Sequence, residues 1–596
     1  MNSGAPDPQL ALQQAIAAYP RGDWAGSEAS CRQVLAARAG DFDALNLLGI
    51  IAAQTQRLPE AAELLRRAVA ARPSDASAHN NLANVLKSLA RLDEALASYD
   101  RALAIQPRYA EAHYNRADTL AALGRRDEAI AGYDRAIALK PDYAKAWYNR
   151  GVAAADLGRQ EAAIASFERA IAIRPDFAEA HYNRGVALAA LGDPGAAVAS
   201  YDRAIALKPD YVQARNNRGN ALQRLQRPAE AVASYDGAID LKPDYVEALV
   251  NRGSALQELR QLDAAIASYD RAIALDPGYA DAWWNKSLAL LLAGDFAAGW
   301  EHYEWRWKLD AFAGLRREHP QPPWDGRAPL AGRSILLHSE QGLGDAIQFC
   351  RYAPMVAGLG AKVVLEVQHP LVPLMRSLAG VETVVAAGEA IPPVELRCPL
   401  LSLPRAFRTD LATIPAPRRY LAADPGRIRE WQERLGPPRG LRVGVAWSST
   451  SAFPRDNARS LRLADFARAL PEDGVEFVCL QKEVKPADRR DLEARPDLRF
   501  FGDELRDFGD TAALVECVDL VVSTCTSAPH LAGALGKPTW ILLAHVPDWR
   551  WLLDGEASPW YPAAKLYRQE RPGDWTGVLA RVRADLARMA GEALLP

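Results

Sequence analysis

Two short stretches in the second half of the chain combine residue types that hold anions or move protons. The first is Ser523-Thr524-Cys525-Thr526-Ser527-Ala528-Pro529-His530, which follows an apolar run and opens His530-Leu531-Ala532-Gly533-Ala534-Leu535-Gly536. Thr526 and Ser527 are good helix N-caps and Pro529 is tolerated in a first turn, so the exposed N–H groups there favour a phosphate or diphosphate. The same residues also read as a plain strand-to-helix turn. The second stretch is Gly342-Leu343-Gly344-Asp345-Ala346-Ile347. Its glycines allow a tight loop close to a substrate, and Asp345 either projects beyond the loop or caps the helix that follows. A third pattern lies in the first half, where Asn81, Asn115, Asn149, Asn183, Asn217, Asn251 and Asn285 recur at one 34-residue spacing. Asn is a poor helix-interior residue because its amide competes for backbone hydrogen bonds, so seven in register need a reason. Each amide offers one acceptor and two donors, which suits gripping the backbone of an extended peptide; bonding a neighbouring loop is the structural alternative.

The elements that carry the asparagines are written as a repeat. Pro107, Pro141, Pro175, Pro209, Pro243 and Pro277 keep the same 34-residue interval. A fixed period of this length means stacked helical units, none able to bury its apolar face alone. In one copy Ala117, Leu120, Ala129, Ile130, Tyr133 and Ala136 fall at helical spacing, Gly124 breaks the pair and Pro141 ends it. Gly151, Gly185, Gly219 and Gly253 are small positions where neighbouring helices approach. Arg116, Arg150, Arg184, Arg218 and Arg252 follow the asparagines directly and either line a groove or pair with nearby acids.

Beyond Arg316 to Arg333, rich in Pro and Gly, the pattern changes. Strands are expected at Ser334–His338, Lys362–Val367 and Val381–Ala386, then at Leu441–Trp447, Glu476–Leu480, Leu520–Ser523 and Thr539–Leu543. A helix is expected over Ile347–Gly358, and another closes the chain over Trp575–Ala593. Strands alternating with helices imply parallel sheets in doubly wound domains. The divisions read from these changes are a disordered 1–9, a solenoid over 10–308, a linker and docking segment over 309–333, and two α/β domains over 334–425 and 426–596. Trp300, Tyr303, Trp305 and Trp307 concentrate large rings at the solenoid's end and read as a docking surface.

The order of residue types in the array, with Gly151, Ala163, Phe167, Ala170 and Pro175 in one unit, resembles the tetratricopeptide (TPR) repeat. The asparagine column resembles the amide ladder in the TPR arm of eukaryotic O-GlcNAc transferase. Thr526, His530, Leu531, Ala534, Leu535, Gly536 and Pro538 resemble the heptosyltransferase-like motif D-T-x-x-x-H-L-x-x-A-L-G-x-P, with Cys525 in place of its Asp. Gly344-Asp345-Ala346-Ile347 is similar to the first-domain G-D-x-I signature of that family. The resemblance implies an all-α TPR solenoid followed by an α/β GT-B region, two Rossmann-like domains facing a cleft. It implies Asp345 as general base toward an acceptor hydroxyl. It implies a nucleotide-sugar site drawn from Gly344, Trp447, Ser448, Ser449, Arg459, Lys482, Thr526, Ser527 and His530. The asparagine column becomes the acceptor-protein site.

The function expected on that resemblance is a protein O-glycosyltransferase like bacterial TPR-linked enzymes, including those that modify flagellin on Ser or Thr. In that group the donor is often a CMP-activated nonulosonic acid. The alternatives are transfer to a lipid or saccharide, and an adaptor with an inactive GT-B domain. The only D-x-D triplet, Asp41-Phe42-Asp43, lies in the array, so no metal and no cofactor besides the sugar donor are expected. The 71 basic and 74 acidic residues leave a net charge of −3, which points to neither nucleic acid nor an anionic membrane as partner. Six scattered cysteines without metal-ligand spacing, and no leader or long apolar run, lead to the expectation of a cytoplasmic protein.

Overall fold

The computed structural model describes residues 7–315, 317, 319–449, 459–471 and 473–593. They fall into two compact units, Met1–Pro243 and Asp244–Pro596. The first unit holds, among its described residues, seven helix pairs, from Pro8–Ala18 with Trp24–Ala37 to Val212–Arg224 with Pro228–Leu241. Residues 1–6 lie outside the described residues. Structure begins sooner than the sequence implies, because Asp7 accepts a hydrogen bond from the Gln9 N–H at 3.0 Å and caps a helix starting at Pro8.

The small positions have a steric cause. A Cβ on Gly151 or Gly185 would stand 2.6 Å from the ring of Phe167 or Tyr201, and one on Gly219 would stand 2.4 Å from Tyr235. Each ring on the second helix of a pair therefore lies directly on the first helix, fully buried. Burial of each such ring contributes about 1.5–3 kcal/mol.

The second unit opens with two further pairs, Val246–Glu258 with Leu262–Leu275 and Ala280–Ala293 with Phe296–Tyr303. The last pair is the one rich in rings. Trp300 is buried edge-on against Trp549 at 5.1 Å and Phe349 at 6.0 Å, and Phe296 stacks on Trp560 at 5.9 Å. Trp305 instead stacks back on Trp283 of its own repeat, at 5.1 Å. Phe296, Trp300 and Tyr303 thus fasten the final repeat onto the α/β region within this unit.

Two all-parallel sheets follow. The first contains β1 (Ser334–His338), β2 (Lys362–Val367), β3 (Val381–Ala386) and β4 (Leu396–Pro399) in the order β3-β2-β1-β4. The second contains β5 (Leu441–Ala446), β6 (Val475–Cys479), β7 (Leu498–Phe500), β8 (Leu520–Thr524), β9 (Thr539–Leu543) and β10 (Ala564–Arg568). Its order is β10-β9-β8-β5-β6-β7. This is the doubly wound order, with strand direction of travel reversing between β5 and β8. One core cluster joins Ile335 and Leu337 of the first sheet to Val521, Leu531 and Ile541 around the second. The expected helix over Ile347–Gly358 is divided: Leu343–Phe349, a 3-10 turn, then Ala353–Gly358 with Pro354 in its first turn.

Candidate functional site

Ligands in doubly wound sheets sit outside the carboxyl ends of strands at the switch point. Ala446 pairs with Ser523, so the chain leaves β5 and β8 side by side. The first exit carries Trp447, Ser448 and Ser449; the second carries Thr526 and Ser527. Thr526 caps the Ser527–Ala534 helix, its Oγ1 accepting from the Ala528 N–H at 3.3 Å. Thr524 Oγ1, buried at the end of β8, has no hydrogen-bond partner. An unsatisfied hydroxyl there marks a place where a polar ligand atom would be stabilised.

The Leu343–Phe349 helix packs onto this exit. A Cβ on Gly344 would come within 3.0 Å of His530 Cδ2 and 3.4 Å of the Ser527 Cα, so Gly344 is where the two helices touch. Asp345 is the next residue. Its Oδ2 accepts from the Gly342 N–H at 2.9 Å, so the capping role is real, while Oδ1 forms an ion pair with Arg550. Arg550 is buried; it also holds both Asp548 oxygens, at 2.9 and 3.1 Å, and Gln348 Oε1 at 2.5 Å. One guanidinium thus serves two carboxylates. Burial raises the Asp345 pKa above the ordinary carboxylate range, and the Arg550 charge only partly opposes it. A carboxyl group with raised proton affinity is a better base near neutrality than an ordinary surface aspartate.

His530 is buried, with Nδ1 2.9 Å from the Tyr561 hydroxyl and its ring stacked 5.5 Å from Trp551. Burial, with Arg550, Arg351 and Arg459 behind it, pushes its pKa well below the usual imidazole value, so it is neutral. Arg459 also lowers the proton affinity of Asp345 and of Cys525, which sets its positive charge in the same neighbourhood. Cys525 is buried and accepts from the Trp551 indole N–H at 3.1 Å; its thiol pKa is pushed up to about 11, chiefly by burial. The sulfur is therefore a packed, neutral group.

The structure brings Gly344, Asp345, Thr526, Ser527, His530 and Arg459 together. Other expected residues are spent elsewhere. Trp447 is a core residue: its indole is fully buried and donates to Asp488 at 3.0 Å, so the side chain does not face a ligand. Ser448 is also buried, its N–H given to Gln481 Oε1 at 3.2 Å, and the Ser449 N–H meets Ser460 Oγ at 3.3 Å. Lys482 is exposed and donates to the Arg506 carbonyl at 3.3 Å, one strand farther from the switch point. Residues 450–458, between Ser449 and Arg459, lie outside the described residues.

In the array, the asparagines act partly as clips between repeats. Asn149, Asn183 and Asn217 donate to the hydroxyls of Tyr114, Tyr148 and Tyr182, each in the preceding repeat, at 3.0, 2.8 and 3.1 Å. Asn81 and Asn115 reach Asn46 and Asn80 in the same way, at 3.5 and 3.2 Å. All seven are half-buried, including Asn251 and Asn285 in the second unit, and Asn149 also donates to Asp118 Oδ1 at 3.2 Å. The arginine column is structural: Arg116, Arg150, Arg184 and Arg218 pair with Asp100, Asp134, Glu168 and Asp202 at 2.5–2.8 Å.

Family profiles agree with the array. Profiles described as TPR repeat match residues 84–124, 117–158 and 153–192, and profiles described as tetratricopeptide repeat match 12–76, 182–246 and 246–279. The helices of the array are tetratricopeptide repeats. Protein FlbA of Caulobacter vibrioides is 28% identical over 335 residues, 50% of this chain and 54% of that protein, so the chain spans about half the length of this curated relative. Among solved structures, YrrB, a TPR protein with an unusual peptide-binding site, is 26% identical, covering 32% of this chain and 97% of that one with a TM-score of 0.30. Pseudomonas aeruginosa pilF is 22% identical, covering 35% and 94%, with a TM-score of 0.32.

Sequence reasoning assigned Arg550 no role of its own. Its signal was the pair Asp548 and Arg550 inside a run of tryptophans, since an arginine among rings is buried only with acids to hold it. It also passed over Arg351, buried, which donates to the Trp560 and Pro415 carbonyls at 2.7 and 3.1 Å and to the Tyr420 hydroxyl at 3.0 Å, tying the first sheet's helix to the second sheet's loops. Among the described residues no helix is long and apolar enough to cross a membrane.

Proposed function

We propose that the α/β region is a GT-B glycosyltransferase and that the TPR array presents a protein acceptor to it. The observation carrying this reading is the contact at Gly344, which sets Asp345 beside the Ser527–Ala534 helix at the switch point of the second sheet. A nucleotide diphosphate or monophosphate would lie over the N-terminus of that helix, its charge met by backbone N–H groups and by Arg459. Asp345, oriented by Gly342 and Arg550, would take the proton of an acceptor Ser or Thr hydroxyl as that oxygen attacks the anomeric carbon. His530, neutral and fixed by Tyr561, would shape the wall against the leaving group. The reading needs no metal, because the helix terminus and cationic side chains answer the leaving charge. The asparagine column would hold the acceptor backbone. Flagellin is the acceptor we favour, with a CMP-activated nonulosonic acid as donor, and the cytoplasm as the place of reaction; this finer assignment rests on the resemblance alone.

The test is intact-mass analysis of flagellins and other TPR-captured proteins from cells carrying the native chain, Asp345→Asn, or Asn149, Asn183 and Asn217 jointly changed to Ala. Loss of a sugar-sized mass in both variants, with both proteins still folded, is expected. Persistence of the mass in both overturns protein glycosylation by this chain. Loss with Asp345→Asn and capture unaffected by the array variant would move the acceptor to a lipid or saccharide.

A further inference from the structure

The first sheet has a second face that the proposed transfer does not use. His338 ends β1 and lies beside Glu366 of β2 in the parallel register. His319 lies against the pair: its ring is 4.6 Å from that of His338, and its Nε2 is 3.7 Å from Glu366 Oε2. One ligand atom of each residue lies within 4.8 Å of the others. His338 and Glu366 are 4% and 2% exposed, and the His319 side chain is 6% exposed. His319 Nε2, His338 Nε2 and Glu366 Oε2 are all buried without a hydrogen-bond partner. Three orphaned groups meeting at one point is costly unless something occupies it, since each forgoes about 1–3 kcal/mol of hydrogen bonding.

We propose that His319, His338 and Glu366 form a binding site for a borderline divalent transition-metal ion of the Zn²⁺ class. Two imidazole nitrogens and one carboxylate oxygen are its ligand types. A tetrahedral Zn²⁺ with bonds of ~2.0–2.1 Å holds its ligands ~3.3–3.4 Å apart, so a small inward shift closes the site. The other Glu366 oxygen accepts from Arg317 at 2.8 Å, the kind of outer partner that fixes a ligating carboxylate. Arg317 and the nearby Arg397 oppose a hard cation held by charge alone, so Mg²⁺ and Ca²⁺ are disfavoured against an ion bound through imidazole. Burial holds both imidazoles below their ordinary pKa, His338 at about 3, which keeps them neutral and ready to ligate. Three protein ligands leave a position open, and His319 and His338 line a cavity of about 860 Å³ together with Trp307, Trp324 and Arg397. The site stands independently of the proposed glycosyl transfer.

The experiment is titration of the chelator-treated, dialysed full chain with Zn²⁺ by calorimetry and with Co²⁺ by visible absorption. His319→Ala, His338→Ala and Glu366→Gln are compared, with circular dichroism confirming the fold. His319→Ala is the decisive variant, because it leaves the sheet intact. One equivalent of tight Zn²⁺, a Co²⁺ d–d band, and losses in each folded variant exceeding the ~10–100-fold typical of an outer partner are expected. The absence of stoichiometric binding, or binding unchanged in folded His319→Ala, overturns the proposal.

Discussion

The Asp345–Arg550 pair lets the electrostatic argument be tested by itself. The two side chains are 22% and 7% exposed, and Arg550 also serves Asp548, which is 34% exposed. Arg550→Met removes the cation and keeps most of the volume. Asp548 then turns to water, but Asp345 is left charged in a desolvated place, which costs ~3–5 kcal/mol when a buried pair is broken. Asp345→Asn leaves Arg550 held by Asp548 and Gln348, so ~1 kcal/mol is expected. The double variant should cost less than the sum, with a coupling of ~2 kcal/mol. The sign in pH follows from the raised folded pKa of Asp345. Such a group favours the folded state while protonated, so stability is lost as pH rises from its ordinary value of 3.8 through the folded value. Removing Arg550 pushes that folded value higher, and the loss extends to higher pH. Urea unfolding followed by tryptophan fluorescence at pH 5 and pH 8 reads this directly. The Arg550→Met cost should be smaller at pH 5 than at pH 8, because the raised folded pKa makes Asp345 easier to protonate as pH falls. A cost equal at both pH values, or no greater than that of Asp345→Asn, refutes the shared-cation reasoning.

Gly219→Ala places a Cβ 2.4 Å from the Tyr235 ring, so thermal unfolding should show ~1–3 kcal/mol of destabilisation. Trp300→Ala should cost ~3–5 kcal/mol in chemical denaturation by emptying the junction against Trp549 and Phe349. Glu340 is fully buried beside Arg306, its carboxyl raised from 4.5 to about 7 by burial, so ~3 kcal/mol of stability should be lost as pH climbs across that interval. Glu340→Gln should flatten that pH slope whatever its absolute stability; an unchanged slope would place the titration elsewhere.

The repeats were legible because packing demands one residue type at one interval: a ring at Phe167, Tyr201 or Tyr235 needs glycine at Gly151, Gly185 or Gly219. The longer buried strands were legible as apolar runs. β4, β7 and β10 were not, since Leu396–Pro399 and Leu498–Phe500 are only 4 and 3 residues long and each carries an arginine, and Ala564–Arg568 carries a lysine and an arginine. Missing them hid the strand order, and the order is what locates the switch point between β5 and β8.

Site residues divide along the same line. Asp345, Thr526 and His530 sit in contiguous motifs whose local geometry, a cap and a helix start, is written in neighbouring residues. Trp447 was misread because being the residue after a strand says nothing about which way its side chain turns. Here the buried Asp488 takes the indole inward. The pairing of Arg550 with Asp345 across the fold, and the His319, His338 and Glu366 group, carry no local signal at all. Each exists only because strands or loops far apart in the chain are brought into register, as β1 and β2 set His338 beside Glu366. Polar groups of this kind are recognisable only by asking which buried atoms lack partners. Two of the buried polar clusters show the contrast. At Asp345, Arg550 supplies the partner from within the protein. At His319, His338 and Glu366 the facing atoms are unsatisfied, which is why a ligand is the economical physical explanation there and an internal ion pair is the explanation at Asp345.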